Sequence, residues 1–219
     1  MLVPLPYPGE VVPLSIAQFR DEPAVNIAVA GNYKLANWLD SRGKLRTYAC
    51  RTARVSPYRM MVAVPVVGKI GHRITSYFRD FGQLDGVISD TTAGGFLCEL
   101  EMTAARREKF ASQLAWLETR KKDPGIPDAR ADARFIPANP HAALTLADGT
   151  TQRCFVIDMS VSGVSVSADL EPELALPLAI GACVGRVVRH FDDGFAVKFV
   201  EPQNRDDLER LIACFAPPA

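Results

Sequence analysis

Along most of this chain apolar residues alternate with polar ones, the period of a strand with one buried face. The pattern is plainest in Gly86-Val-Ile-Ser-Asp-Thr-Thr-Ala-Gly-Gly95-Phe-Leu-Cys-Glu-Leu100, which reads as strand, glycine turn, strand. A later stretch, Gly185-Arg-Val-Val-Arg-His-Phe-Asp-Asp-Gly194-Phe-Ala-Val-Lys-Phe199, has the same design. Upstream of each, Cys50-Arg-Thr-Ala-Arg-Val-Ser56 aligns with Cys154-Phe-Val-Ile-Asp-Met-Ser160. The matching segments lie far further apart than the roughly 20–50 residues of a stacked repeat, so the chain holds two copies of one small β domain. In the second copy the alternation predicts strands over Ala142–Leu146, Gln152–Ser160, Val164–Ser167, Ala182–His190 and Phe195–Phe199. Ala147-Asp148-Gly149 supplies a hairpin turn. Short strands punctuated by turns predict closed or nearly closed barrels.

Two segments change to the helical period. From Met102 to about Lys121, Phe110, Leu114 and Leu117 share one face, and Arg120-Lys121-Lys122 precedes the breakers Asp123-Pro124-Gly125. Near Arg205 a second helix begins, with Leu208, Leu211, Ile212 and Phe215 as its stripe, Asp206 and Asp207 at its positive end, and Pro217 beyond it. Both stripes are expected to pack on the barrels; a dimerising role is the alternative, and suits the first helix better. The fold class is therefore mainly β, with two small barrels joined by a helix and a helix at the C-terminus. The expected organisation is an N-terminal extension over 1–24, a first barrel over 25–101, a connecting helix over 102–122, and a second domain of loop, barrel and helix over 123–219.

Composition narrows the function. At 219 residues and 48% apolar content there is material for two cores. The 25 basic and 25 acidic residues cancel, so bulk charge gives no reason to expect DNA, RNA or an anionic membrane surface as partner. Cys50, Cys98, Cys154, Cys183 and Cys214 are scattered without a C-x-x-C pair, which suits buried thiols in a reducing cytoplasm. Pro4, Pro6, Pro8 and Pro13 break the N-terminal apolar run, arguing against a secretion signal. The apolar run Met60–Val67 is too short to span a membrane. His72, His141 and His190 are dispersed, and no nucleophile elbow, P-loop or dinucleotide fingerprint appears. A cytoplasmic protein that is not an enzyme and needs no metal or cofactor is expected.

One pair of motifs carries chemistry. Arg130 and Arg134 form Arg-x-x-x-Arg in a polar loop, and Asp158, Ser160 and Gly163 form Asp-x-Ser-x-x-Gly at a strand end. Arginine offers a planar fork of donors to guanine O6 and N7 or to phosphate, whereas a carboxylate accepts from the guanine N1–H and N2–H₂. In this order and β context the pair resembles the PilZ family of cyclic di-GMP receptors, over essentially the whole second copy. The resemblance implies that Arg130 and Arg134 grip guanine edges and phosphates, that Asp158 accepts from a guanine, that Ser160 bonds the ligand and that Gly163 lets it approach the backbone. It implies a mobile arginine loop ordered by cyclic di-GMP, with a shift in contacts between barrels or with a protein partner. The flagellar motor is a candidate partner by analogy, and a homodimer is possible.

The first copy departs from the pattern. Arg54 stands where Asp158 would be, Arg59 where Gly163 would be, only Ser56 survives, and no arginine pair precedes the barrel. It is expected to be degenerate and kept for contacts. Asp90-Thr-Thr-Ala-Gly-Gly95 superficially fits the second motif but aligns with Arg189–Gly194, a hairpin expected on a different edge. The competing function is a nucleotide-independent interaction scaffold built on two such barrels.

Overall fold

Side chains that alternate along the sequence alternate between the inside and outside of two closed barrels. The computed structural model describes residues 19, 22–40, 43–120 and 134–213. The first barrel is built from β1 (Ala30–Leu35), β2 (Tyr48–Val55), β3 (Arg59–Ala63), β4 (Arg73–Phe78), β5 (Gly82–Thr92) and β6 (Gly95–Glu101). Its strands neighbour one another in the order β1-β2-β3-β6-β5-β4, closing on themselves. In β4, for example, Ile74, Ser76 and Phe78 are buried while Arg73, Thr75 and Tyr77 face water.

The helix α1 (Ala104–Arg120) follows, and then the second barrel: β7 (His141–Leu146), β8 (Thr151–Ser160), β9 (Gly163–Ser167), β10 (Pro177–Ile180), β11 (Cys183–Phe191) and β12 (Gly194–Phe199). Its order, β7-β8-β9-β12-β11-β10, is that of the first. The helix α2 (Arg205–Ala213) follows β12. The mainly β class, the two barrels and both helices are thus as the sequence predicts. The short strand β10 is the one that alternation in the second copy misses. It has only four residues and opens on Pro177, a residue tolerated at a strand start because no ladder donor is lost there.

The internal repeat is a repeat of backbone geometry. Between β2 and β3 the ladder slips at Thr52/Arg54, and between β8 and β9 it slips at Val156/Asp158, the aligned positions. Between β5 and β6 it slips at Ile88/Asp90, and between β11 and β12 at Val187/Arg189, again aligned. Each copy thus carries two bulges, one at each end of the same four-strand row.

Both helical stripes pack on barrels. Phe110 and Leu114 join the interior cluster of the first barrel, and the Phe110 ring meets Phe81 edge-on at 5.3 Å. Leu208 and Ile212 join that of the second, and the Asn204 side chain caps α2 by accepting from the Asp206 N–H at 2.9 Å. Phe215, the last residue of the expected stripe, lies outside the described residues.

The barrels meet along β2. Asp169 accepts from Tyr48 Oη at 2.6 Å and from Arg46 Nη1 at 2.8 Å. The Ala49 N–H donates to Ser167 Oγ at 3.1 Å, and Arg51 Nη1 donates to the Pro137 carbonyl at 2.8 Å while its guanidinium lies 5.7 Å from the Phe155 ring. His141 completes the seam: a Cβ on Gly94 of the first barrel would come within 2.6 Å of its ring. Burial first, and then the charges of Arg153 and Arg51, press the His141 pKa down to about 4.

Candidate functional site

The two bulges of the second barrel define a cleft on its outer face. At one end the slip after Val156 turns Asp158 outward; at the other the slip after Val187 turns Arg189 outward. Asp158 pairs with Ser165, Ser165 with Ala196 and Ala196 with Arg189. Three strand spacings separate the ends, about 14 Å. Small side chains form the floor between them, and the residues alternating with this row (Met159, Val164, Val166, Val187 and Val197) fill the barrel interior. The result is two adjoining hollows of about 290 and about 190 Å³. Both are lined by Arg134, Asp158, Ser165 and Arg189. The first also takes in His190, Phe191 and Asp193, the second Ser160, Ser162, Gly163 and Lys198.

Arg134 enters from the segment before β7. Its Nη1 lies 3.0 Å from each Asp158 oxygen and 3.4 Å from Ser165 Oγ. One nitrogen thus straddles the carboxylate, a looser hold than the two-nitrogen fork arginine can make. About a third of Arg134 and a quarter of Asp158 remain exposed, so the pair is open to an incoming ligand. The residues after Arg134 are tied down in turn. Phe135 bridges Met159 through both backbone hydrogen bonds at 2.9 Å and lies under the Arg205 guanidinium at 4.4 Å. The Pro137 carbonyl is held by Arg51 of the first barrel, and the Ala138 N–H donates to Glu209 of α2 at 3.1 Å.

Of the site residues expected from sequence, Arg134, Asp158, Ser160 and Gly163 are brought to this one cleft. Arg130 lies outside the described residues. Ser160 is nearly buried, with its Oγ 3.3 Å from Ser162 Oγ and 3.5 Å from the Gly163 carbonyl. Gly163 has a packing reason of its own: a Cβ there would sit 2.5 Å from the Val197 carbonyl of β12. Sequence reasoning missed Ser165, Lys198 and Arg189. It set the β11–β12 hairpin on another edge, yet that hairpin forms the far wall of the cleft. The bulge defeats the count, since Arg189 aligned by strict alternation would share the side of the interior Val187.

Residues 128–216, which include the cleft, match the family model described as the PilZ domain. This part of the chain is a PilZ domain. Similar solved structures cover most of the chain at low identity. The Borreliella burgdorferi PlzA protein, solved in complex with c-di-GMP, is 11% identical, with 90% of this chain and 94% of that one covered and a TM-score of 0.29. The Bacillus subtilis inhibitor of motility (MotI/DgrA) is 14% identical, with 86% and 94% covered and a TM-score of 0.28. Escherichia coli YcgR, in complex with c-di-GMP, is 12% identical, with 83% and 80% covered and a TM-score of 0.25. No curated protein matches the chain in sequence.

Around the PilZ cleft the described residues offer little for other chemistry. No group of three His, Cys, Asp or Glu among them could hold a metal ion, and no helix among them is long and apolar enough to cross a membrane. The four described cysteines are buried, and burial pushes Cys98 and Cys154 up to about 12 and Cys183 to about 11, which keeps the thiols protonated and unreactive.

Proposed function

We propose that the PilZ domain is a receptor for cyclic di-GMP, and that the cleft over Ser165 and Ala196 is its binding site. The observation that carries the reading is the Arg134–Asp158 pair held open at one wall of a PilZ cleft whose floor is made of small side chains. The ligand is a doubly negative ring with two guanines. Asp158 accepts from a guanine N1–H and N2–H₂, Arg134 turns its fork to a Hoogsteen edge or a phosphate, and Arg189 and Lys198 supply positive charge at the far wall. Ser160 donates from its hydroxyl. Gly163 keeps the β9 edge low, so that the ligand meets backbone. Arg130, in the same segment as Arg134, grips a second edge as the loop orders around the ligand.

Binding couples to the rest of the molecule through residues 134–138. A ligand that draws on Arg134 pulls a strap whose next residues are held by Met159, by Arg51 of the first barrel and by Glu209 of α2. The strap changes how the barrels meet or what they present to a protein partner, such as a motility component, or to a second copy of the chain. As a receptor of this kind the protein acts in the cytoplasm and by binding rather than by catalysis.

Calorimetric titration of cyclic di-GMP into the whole chain, beside Arg134→Ala and Asp158→Ala, tests the reading. A low-micromolar constant, about −8 kcal/mol, that collapses in both variants is the expected result. Absence of saturable heat with the unaltered protein overturns it and leaves a nucleotide-independent scaffold.

A further inference from the structure

The first barrel has the same row, and the chain itself packs against its Arg54 end. The row runs Arg54–Met61–Leu97–Asp90, register for register the counterpart of Asp158–Ser165–Ala196–Arg189. Leu97 stands outside the interior cluster and is only 3% exposed. Residues N-terminal to β1 pack at the Arg54 end of the row. Phe19 is 2% exposed, also outside the interior cluster, and its ring lies under the Arg54 guanidinium at 5.1 Å. Glu22 accepts from Ser56 Oγ at 2.7 Å and lies 3.9 Å from Arg59 Nε. Asn26 Oδ1 accepts from Arg54 Nη1 at 3.1 Å, and Val25 pairs with Val55 through both backbone hydrogen bonds.

These contacts have the chemistry of a nucleotide site. An aromatic plane stacks on one arginine while an anion sits on a serine hydroxyl and a second arginine, the parts that a base and a phosphate would play. Ser56 and Arg54 are the aligned counterparts of Ser160 and Asp158. We infer that the first barrel keeps a recognition groove at the Arg54 end of this row, specific for a peptide with an aromatic residue followed three positions later by an acidic one, and that Phe19 and Glu22 are its ligand in cis. The fit leaves a donor over: Arg54 Nε is enclosed without a partner, so the cis segment does not saturate the groove and can be exchanged. The groove does not depend on the ligand of the second barrel.

The test uses the whole chain carrying Phe19→Ala and Glu22→Ala, titrated with a fluorescein-labelled peptide of residues 17–28. The expected result is saturable binding at least tenfold tighter than to the unaltered chain, and none by a peptide with the same two alanines. Equal affinity for both chains, or for both peptides, overturns the inference. Should the double variant fail to fold, Arg54→Asp decides, since it installs the residue that the second barrel carries at that place. Amide exchange over residues 22–29 is then expected to accelerate at least tenfold while β5 and β6 stay protected; unchanged exchange overturns the inference.

Discussion

The two barrels share strand order, register and both bulges, and differ in what stands on the row between the bulges. The second carries Asp158, Ser165, Ala196 and Arg189; the first carries Arg54, Met61, Leu97 and Asp90. The charges at the two ends are reversed, and the small floor residues are replaced by large ones. One row lines a cleft, and the other has its own chain packed against one end. What the two rows present differs in four outward side chains, while the backbone that presents them is the same.

Exchanging residues between the rows breaks the comparison most sharply. Asp158→Arg, the first barrel's choice, sets two guanidinium groups against each other at Arg134 and is expected to weaken cyclic di-GMP by more than about a hundredfold, or about 3 kcal/mol, in calorimetry. The barrels also differ at the start of β7, where His141 stands opposite Phe155 as Ala30 stands opposite Arg51 in β1. Because burial lowers the His141 pKa from 6.5 to about 4, the unfolded chain takes up its proton first. Stability from this group is complete above about pH 6.5 and is lost as pH falls towards 4, by about 2–3 kcal/mol, and His141→Gln should flatten that slope in thermal unfolding.

Arg134→Ala is expected to cost about 1–3 kcal/mol of ligand affinity with the fold intact by circular dichroism. Removing the grip of the first barrel on the strap with Arg51→Ala should lower global stability by about 1.5–2 kcal/mol in denaturant unfolding, the low end for a hydrogen bond to a charged donor. The smallest effect is expected at the far wall. There Arg189→Ala should weaken the ligand about fivefold, against no change for Arg186→Ala on the same strand, since Arg186 does not line the cleft.

Much of this was legible in the sequence because alternation and turn chemistry are local. The Ala147-Asp148-Gly149 turn, with Gly149 at φ +84°, and the paired hairpins are written in neighbouring residues. So were the Arg134, Asp158, Ser160 and Gly163 that meet in one cleft, since their order, spacing and β context carried the resemblance. Features that depend on what lies across the barrel were not legible. A bulge shifts the face of every later residue on its strand, which hid Arg189. Gly163 is explained by the carbonyl of Val197, more than thirty positions away. Phe19 and Glu22 lie in a stretch with no periodic pattern, and only the folded chain shows them packed on Arg54, Ser56 and Arg59.

The duplicated bulges bear on descent. They survive in both copies although the residues around them have parted company, so the geometry of the row has outlasted its chemistry. A change at a handful of outward positions, none of them in a barrel's interior cluster, separates the row of one copy from that of the other. The first barrel is therefore a scaffold whose outer row can take a different chemistry without disturbing the strand order or register it shares with the second.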